Sequence, residues 1–294
     1  ENVCYASYNI ALGCGAGKCN HSGSYGIFLG RDAGRYTTSG YNFYGGYEAG
    51  KCKQGGGQNI GIGYASLKGS STPGNNTGAY NVAFGMLSGT SLTSGTQNTF
   101  LGSRDVAYCN TIGGHNTFVG GYSGKANTTA CFNTYVGYGA GKCHATGNYN
   151  VAFGVCALCG HSTSAGVGNT GTGNIAIGSC AMKCGTTGSR NVVIGKDAVG
   201  LGTVTGDFNI VMGNEAGYCL SSSSHNIVIG NCAGKNGAPG SYNIYFGCGA
   251  GCCQASGGYN IYVGKGAAKC KGSGQHNYAI GYNALYGSST VTNN

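Results

Sequence analysis

An asparagine followed four residues later by glycine recurs through the chain with a period of 17, and this periodicity restricts the fold more than any other feature. The anchors are Asn9, Asn42, Asn59, Asn81, Asn98, Asn116, Asn133, Asn150, Asn174, Asn191, Asn209, Asn226, Asn243, Asn260 and Asn277, and Gly26 stands where an anchor is due between Asn9 and Asn42. The partner glycine is present every time, from Gly13 to Gly281. Spacings are 16 to 18 residues, except for 22 between Asn59 and Asn81 and 24 between Asn150 and Asn174. A short fixed period means a repeat protein in which each unit stacks on its neighbours.

Within the repeat, the residue after Asn is usually β-branched (Ile10, Ile60, Val82, Ile175) and the third after it is apolar (Leu12, Ile62, Phe84, Ile194). Alternation with period two, closed by glycine, predicts a strand of about four residues. Seven residues after Asn comes a small residue, nearly always Ala, which reads as a second short strand with a small inward side chain. Two short strands and two turns predict one coil of a parallel β-solenoid (β-roll), with coils roughly 4.8 Å apart. The expected fold is all-β, a single solenoid domain over residues 1–294 of about sixteen coils, with no separate cap. Stacked Asn side chains then form a hydrogen-bonded ladder, and the Gly column supplies positive φ. Twelve of sixteen units place a ring before the anchor, including Tyr8, Tyr25, Tyr41, Phe208, His225, Tyr242, Tyr259 and His276, a packing device first of all.

Composition agrees with a backbone-dominated repeat. Of 294 residues, 62 are Gly but only 2 are Pro, which excludes collagen, and 40% hydrophobic content excludes a disordered chain. Only 23 residues (16 basic plus 7 acidic) carry charge, and the net +9 is spread along the chain, which argues against a nucleic-acid groove. No run of 18 apolar residues exists, so no membrane insertion is expected.

If residues one and three after Asn point inward, residue two points outward. That column is Phe28, Tyr44, Phe100, Phe118, Tyr135, Val193, Val211, Val228, Tyr245 and Tyr262, among others. A strand apolar on both faces is buried on both. The sequence therefore predicts a self-association stripe made of these residues.

The segments Asn-Val-Ala-Phe-Gly at 150–154, Asn-Ile-Ala-Ile-Gly at 174–178 and Ala-Ile-Gly-Tyr-Asn-Ala-Leu-Tyr at 279–286 resemble the YadA-like head repeats of trimeric autotransporter adhesins, and related repeats of phage tail fibres and surface fibres. The resemblance spans Asn9 to Asn277. It implies a β-roll, a homotrimer and an extracellular fibre or adhesive role at the cell or virion surface. The chain departs from that pattern in its somewhat longer repeat and its many cysteines.

Seven of the 17 cysteines stand ten residues after an anchor: Cys19, Cys52, Cys143, Cys184, Cys219, Cys253 and Cys270. Same-column residues in adjacent coils lie within Cα reach of a disulfide, which nominates Cys156–Cys180 and Cys253–Cys270, with Cys159–Cys184 close to register and Cys232–Cys248 a weaker pair. Thiols filling small core positions are the alternative. Cys156-x-x-Cys159 has no second pair near it, so no metal site is expected. Lysines recur nine after the anchor (Lys18, Lys51, Lys68, Lys125, Lys142, Lys183, Lys235, Lys269) beside scattered acids such as Asp32, Glu48, Asp197 and Glu215. They read as a solvated edge that discourages aggregation, or as a surface for anionic glycans. Asn20, Asn75 and Asn127 head Asn-x-Ser/Thr triplets, the glycosylation pattern.

No catalytic constellation or cofactor motif emerges, and no enzyme is expected. The leading expectation is a structural subunit of an extracellular fibre, self-assembled head to tail and sideways. An adhesin or receptor-binding fibre head is the alternative. Regular Thr-x-Thr rows of an ice-binding solenoid are lacking.

Overall fold

A computed structural model describes residues 6–71, 75–160, 169–201, 204–237, 240–254, 256–270 and 272–287. The chain divides into two compact units, Glu1–Thr146 and Gly147–Asn294. Each is an all-β parallel solenoid with a spacing near 17 residues, and no helix occurs among the described residues.

The first unit carries β1 (Ile10–Leu12), β2 (Ile27–Leu29), β3 (Phe43–Gly45), β4 (Ile60–Ile62), β5 (Val82–Met86), β6 (Thr99–Arg104), β7 (Thr117–Val119) and β8 (Thr134–Val136). Each pairs in parallel with the next, column on column, as in Ile10↔Ile27 and Thr117↔Thr134. The register shifts once, between Phe84 and Met86, where β5 meets the longer β6. The second unit repeats the arrangement with β9 (Val151–Phe153), β10 (Ile175–Ile177), β11 (Val192–Ile194), β12 (Ile210–Met212), β13 (Ile227–Ile229), β14 (Ile244–Phe246), β15 (Ile261–Val263) and β16 (Tyr278–Ile280).

The rest of the coil corrects the expected second strand. From Gly13 onward the chain makes consecutive turns: the N–H groups of Ala16, Lys18 and Asn20 bond to the carbonyls of Gly13, Gly15 and Gly17 three residues back. The intervening amides reach the next coil, Gly17 N to Ala33 O at 2.9 Å and Cys19 N to Arg35 O at 2.7 Å. Left-handed residues four, six and eight after the anchor drive this ribbon. The sixth is often not glycine: Asp32, Glu48, Cys156, Cys180, Glu215 and Cys232 all have φ near +55°. At the fourth, only glycine fits: Gly46 has φ +126°, and a Cβ there would lie 2.6 Å from Gly63 O of the next coil.

The core lies between strand and ribbon, filled by residue two of strands β2 to β16 and by the small residue seven after the anchor, such as Ala33, Ala49, Ala140, Ala181, Ala216 and Ala250, all buried. Residues two and eight share the remaining volume. In five coils where position two holds a ring (Phe28, Tyr44, Phe118, Tyr135, Tyr245), position eight is Gly34, Gly50, Gly124, Gly141 or Gly251, lying against that ring, whereas Tyr262 and Phe100 are followed at position eight by buried Ala268 and Val106. Where position two is Gly61, Ala152 or Ala176, position eight is Leu67, Leu158 or Met182, each fully buried. Close packing requires this exchange of volume across a narrow core.

Candidate functional site

The strand face expected to be inward is the outer one. Phe28, Tyr44, Phe100, Phe118, Tyr135, Val193, Val211, Val228, Tyr245 and Tyr262, predicted as an exposed self-association stripe, are at most 1% exposed. The anchor Asn is buried, and side chains alternate along a strand. Residue two must share its face, and residues one and three must point out. The outward columns include Ile10, Ile27, Ile210 and Ile244 at position one, and Leu12, Phe84, Phe153, Ile177, Met212, Phe246 and Ile280 at position three. Phe153 and Phe246 are each more than half exposed. Neither column holds a charged residue on any of the sixteen strands. Each unit thus presents a two-column apolar sheet face, on the side opposite to the one predicted.

Beneath it runs the asparagine ladder. In the first unit, Asn59 donates its backbone N–H (2.9 Å) and its side-chain amide (3.2 Å) to Asn42 Oδ1, and Asn81 does the same to Asn59 Oδ1 at 3.0 and 3.1 Å. Asn98 and Asn116 continue it. In the second unit the backbone N–H groups of Asn174, Asn191, Asn209, Asn226, Asn243, Asn260 and Asn277 each reach the preceding Oδ1 at 2.9 to 3.0 Å. Asn9 Oδ1 accepts from the Gly26 N–H at 2.7 Å, and Gly26, without a side chain, offers Asn42 no Oδ1 in turn. The ladder is structural: from Asn42 onward the anchors are buried, and their side chains bond to one another and to neighbouring carbonyls.

At the margin of the apolar face, the rings preceding the anchors stack. Tyr8, Tyr25 and Tyr41 follow one another at 5.1 and 5.0 Å. In the second unit Phe208, His225, Tyr242, Tyr259 and His276 form a five-ring column at 4.8 to 5.2 Å, with the Arg190 guanidinium 5.1 Å from the Phe208 ring. All have φ between +56° and +64°, a left-handed backbone that costs a non-glycine residue about 1–2 kcal/mol.

The basic edge is partly neutralised. Glu48 binds Lys51 and Lys68 at 2.6 Å each, Lys125 meets Asp105 at 3.1 Å and Lys235 meets Glu215 at 2.7 Å. The ion pairs hold the Glu48 and Glu215 carboxyls below their ordinary range. Tyr36, Lys51, Cys52, Gln54, Lys68, Ser70 and Ser71 line an open cavity of about 500 Å³. Residues 72–74 and 161–168 of the two long connections lie outside the described residues.

The four nominated disulfides are absent: Cys156, Cys180, Cys184, Cys232, Cys248, Cys253 and Cys270 are thiols, which also excludes a Cys159–Cys184 bond. For the same-column pairs Cys156–Cys180 and Cys253–Cys270, in-register stacking supplies the reason. Same-column Cα atoms are close, but their Cα–Cβ vectors run parallel, so the Cβ atoms stay near the coil spacing of roughly 4.8 Å, beyond the ~3.8 Å that a disulfide prefers. Among the described residues no group of three or more His, Cys, Asp or Glu is placed to enclose a metal ion.

Of the glycosylation triplets, Asn127 is fully buried, and Asn20 spends its amide on both polar atoms of the Gly23 backbone at 2.7 and 2.9 Å. The folded chain offers only Asn75, which is exposed. Two buried ionisable residues gave no sequence signal. Lys53, wholly buried, donates to Leu92 O at 2.9 Å and Thr93 O at 3.2 Å, and burial pushes it down to about 7. His144 is pushed down to about 4 by burial. Both stand eleven after their anchors, a position filled elsewhere by Asn20, Thr37, Leu92, Leu220 and Gln254. No helix is long and apolar enough to cross a membrane among the described residues. No family model, curated protein or solved structure matches the chain.

Proposed function

We propose that the chain is a structural subunit of an extracellular fibre, assembled by sideways packing of its apolar strand face against further copies of itself and by end-to-end stacking of coils. The observation that carries the reading is the pair of outward columns, one and three after each anchor, with Ile, Val, Leu, Phe, Met, Tyr, Thr or Gly on every strand and no charge. Monomeric soluble proteins rarely leave contiguous apolar patches of more than a few hundred Å² open. A second copy is the fitting occupant because pitch must match. Side chains recur roughly every 4.8 Å from coil to coil and about 6.7 Å across the strand, and another face of this repeat supplies the same grid. The extracellular setting rests on the resemblance to surface-fibre repeats.

Charged substitutions on this face test the reading without touching the core. Ile227→Lys, Ile244→Lys and Phe246→Lys in one chain should leave the far-ultraviolet spectrum and melting temperature near wild type. Sedimentation and electron microscopy should show assembly in the wild type and its loss in the triple variant. A wild-type chain that stays monomeric at micromolar concentration overturns self-assembly. Discrete short trimers that do not grow overturn the filament in favour of a fibre head.

A further inference from the structure

Cys253 and Cys270 stand ten residues after Asn243 and Asn260, one above the other in consecutive coils of the second unit. The Cys270 N–H donates to Cys252 O at 2.8 Å, holding the two coils in register. Both cysteines have the same left-handed backbone, φ +68° and +58°, so their side chains leave the chain in parallel. Cys252 Sγ lies 3.6 Å from Cys253 Sγ, and Cys270 stands over Cys253 in the same column of the next coil. Two sulfurs of one coil thus adjoin, buried Cys252 and half-buried Cys253, with exposed Cys270 one coil on in the Cys253 column. Asn236, the column neighbour on the other side, directs Nδ2 at Cys253 Sγ at 3.8 Å.

The spacing that disfavours a disulfide suits another partner. A disulfide needs its sulfurs about 2.05 Å apart, whereas parallel side chains in adjacent coils are held at roughly 4.8 Å. Two sulfurs on opposite sides of one d10 ion, with metal–sulfur bonds of roughly 2.3 Å, lie about 4.6 Å apart. Two-coordinate thiolate binding is the habit of soft univalent ions and needs no enclosing group of three ligands. We propose that Cys253 and Cys270 bind univalent copper as a two-coordinate dithiolate, with Cys252 as an adjacent third sulfur.

The step balances as two thiols plus Cu⁺ giving an S–Cu–S unit of net charge −1 and two released protons, with no change of oxidation state. The Lys269 ammonium acts on both Cys252 and Cys270 and offsets that charge, and the Asn236 amide supplies a donor to the Cys253 sulfur. Thiolate is the ligating form, so the ion must displace the thiol protons. Affinity should therefore rise with pH.

The site is independent of fibre assembly and is tested on the full chain. The reduced protein is titrated anaerobically with copper(I) held in a competing chelator. Cys219 is the control, a thiol of the same column whose neighbours are Leu201 and Asn236. Cys253→Ser and Cys270→Ser should each lose one retained equivalent relative to the wild type and to Cys219→Ser. X-ray absorption of the wild-type complex should report two sulfur neighbours. Circular dichroism of each variant establishes that it is folded. Equal retention by folded Cys253→Ser, Cys270→Ser and wild type, or loss of the same equivalent in Cys219→Ser, overturns the site.

Discussion

The ring of Tyr44 lies flat on Gly50: a Cβ built on Gly50 would stand 2.4 to 2.5 Å from three carbons of that ring. Gly50 also has φ +59°. Gly50→Ala therefore combines left-handed strain of about 1–2 kcal/mol with overpacking of about 1–3 kcal/mol, and urea denaturation should register a loss of roughly 2–5 kcal/mol. Gly61 and Leu67 occupy the same two positions one coil on, with the volumes exchanged. Tyr44→Ala should thus relieve Gly50→Leu, and a double-mutant cycle should give a favourable coupling of at least about 1 kcal/mol. Additive losses would mean that the two positions do not share one space.

Asn81 holds the ladder by several bonds at once. Its side chain donates to Asn59 Oδ1 at 3.1 Å, Ala79 O at 3.0 Å and Gly95 O at 2.9 Å, and its Oδ1 accepts two bonds from Asn98 at 3.0 and 2.9 Å. Asn81→Ala strands buried donors and acceptors on both neighbouring coils. At about 1–3 kcal/mol for each unsatisfied buried group, a loss of roughly 3–5 kcal/mol is expected in chemical denaturation. Asn81→Asp keeps the shape but removes the amide donor and buries a charge, and should be at least as damaging at neutral pH.

The period, the parallel pairing and the Asn column were legible because each rests on residue identity repeated at fixed spacing. The choice of strand face was legible in principle: Asn at position zero and the residue at position two lie on one side of a strand, so a buried ladder carries Phe28 and Tyr44 inward with it. Apolar residues on both faces hid this, because hydrophobicity alone gives no direction when Ile10 and Leu12 face solvent. The size exchange between Gly61 and Leu67, against Tyr44 and Gly50, was the readable signal. The turn ribbon was not readable, since Asp32, Glu48 and Cys180 adopt left-handed φ through contacts with adjoining coils, which local propensity does not report. Lys53 and His144 escaped notice because position eleven tolerates almost any residue type.

His144 couples the first unit to acid. Its folded value of about 4 lies below the ordinary 6.5 because burial disfavours the cation. The unfolded chain thus binds the proton first, and stability should fall as pH drops from 6.5 to 4. The gap corresponds to about 3 kcal/mol at most. In His144→Leu that component should vanish, leaving a shallower acid limb in urea denaturation followed between pH 7 and 4.

Lys53 acts in the alkaline range by the same logic. Burial lowers it from 10.5 to about 7 in the folded chain, so between these values the unfolded state holds a proton that the folded state has released. Stability should rise with pH from 7 to 10.5 and decline toward its lower plateau as pH falls through 7. Because Leu92 O and Thr93 O accept from Nζ and offset part of the cost of charge, a rise of about 2–4 kcal/mol is expected rather than the full value for the shift. Lys53→Met keeps the unbranched stem and removes the titration. Its stability should be flat across that window, apart from changes shared with the wild type, and should exceed the wild type most clearly near pH 7, where the wild-type lysine begins to charge inside the core. A wild-type profile already flat between pH 7 and 10 would show instead that Lys53 stays charged, held by the two carbonyls.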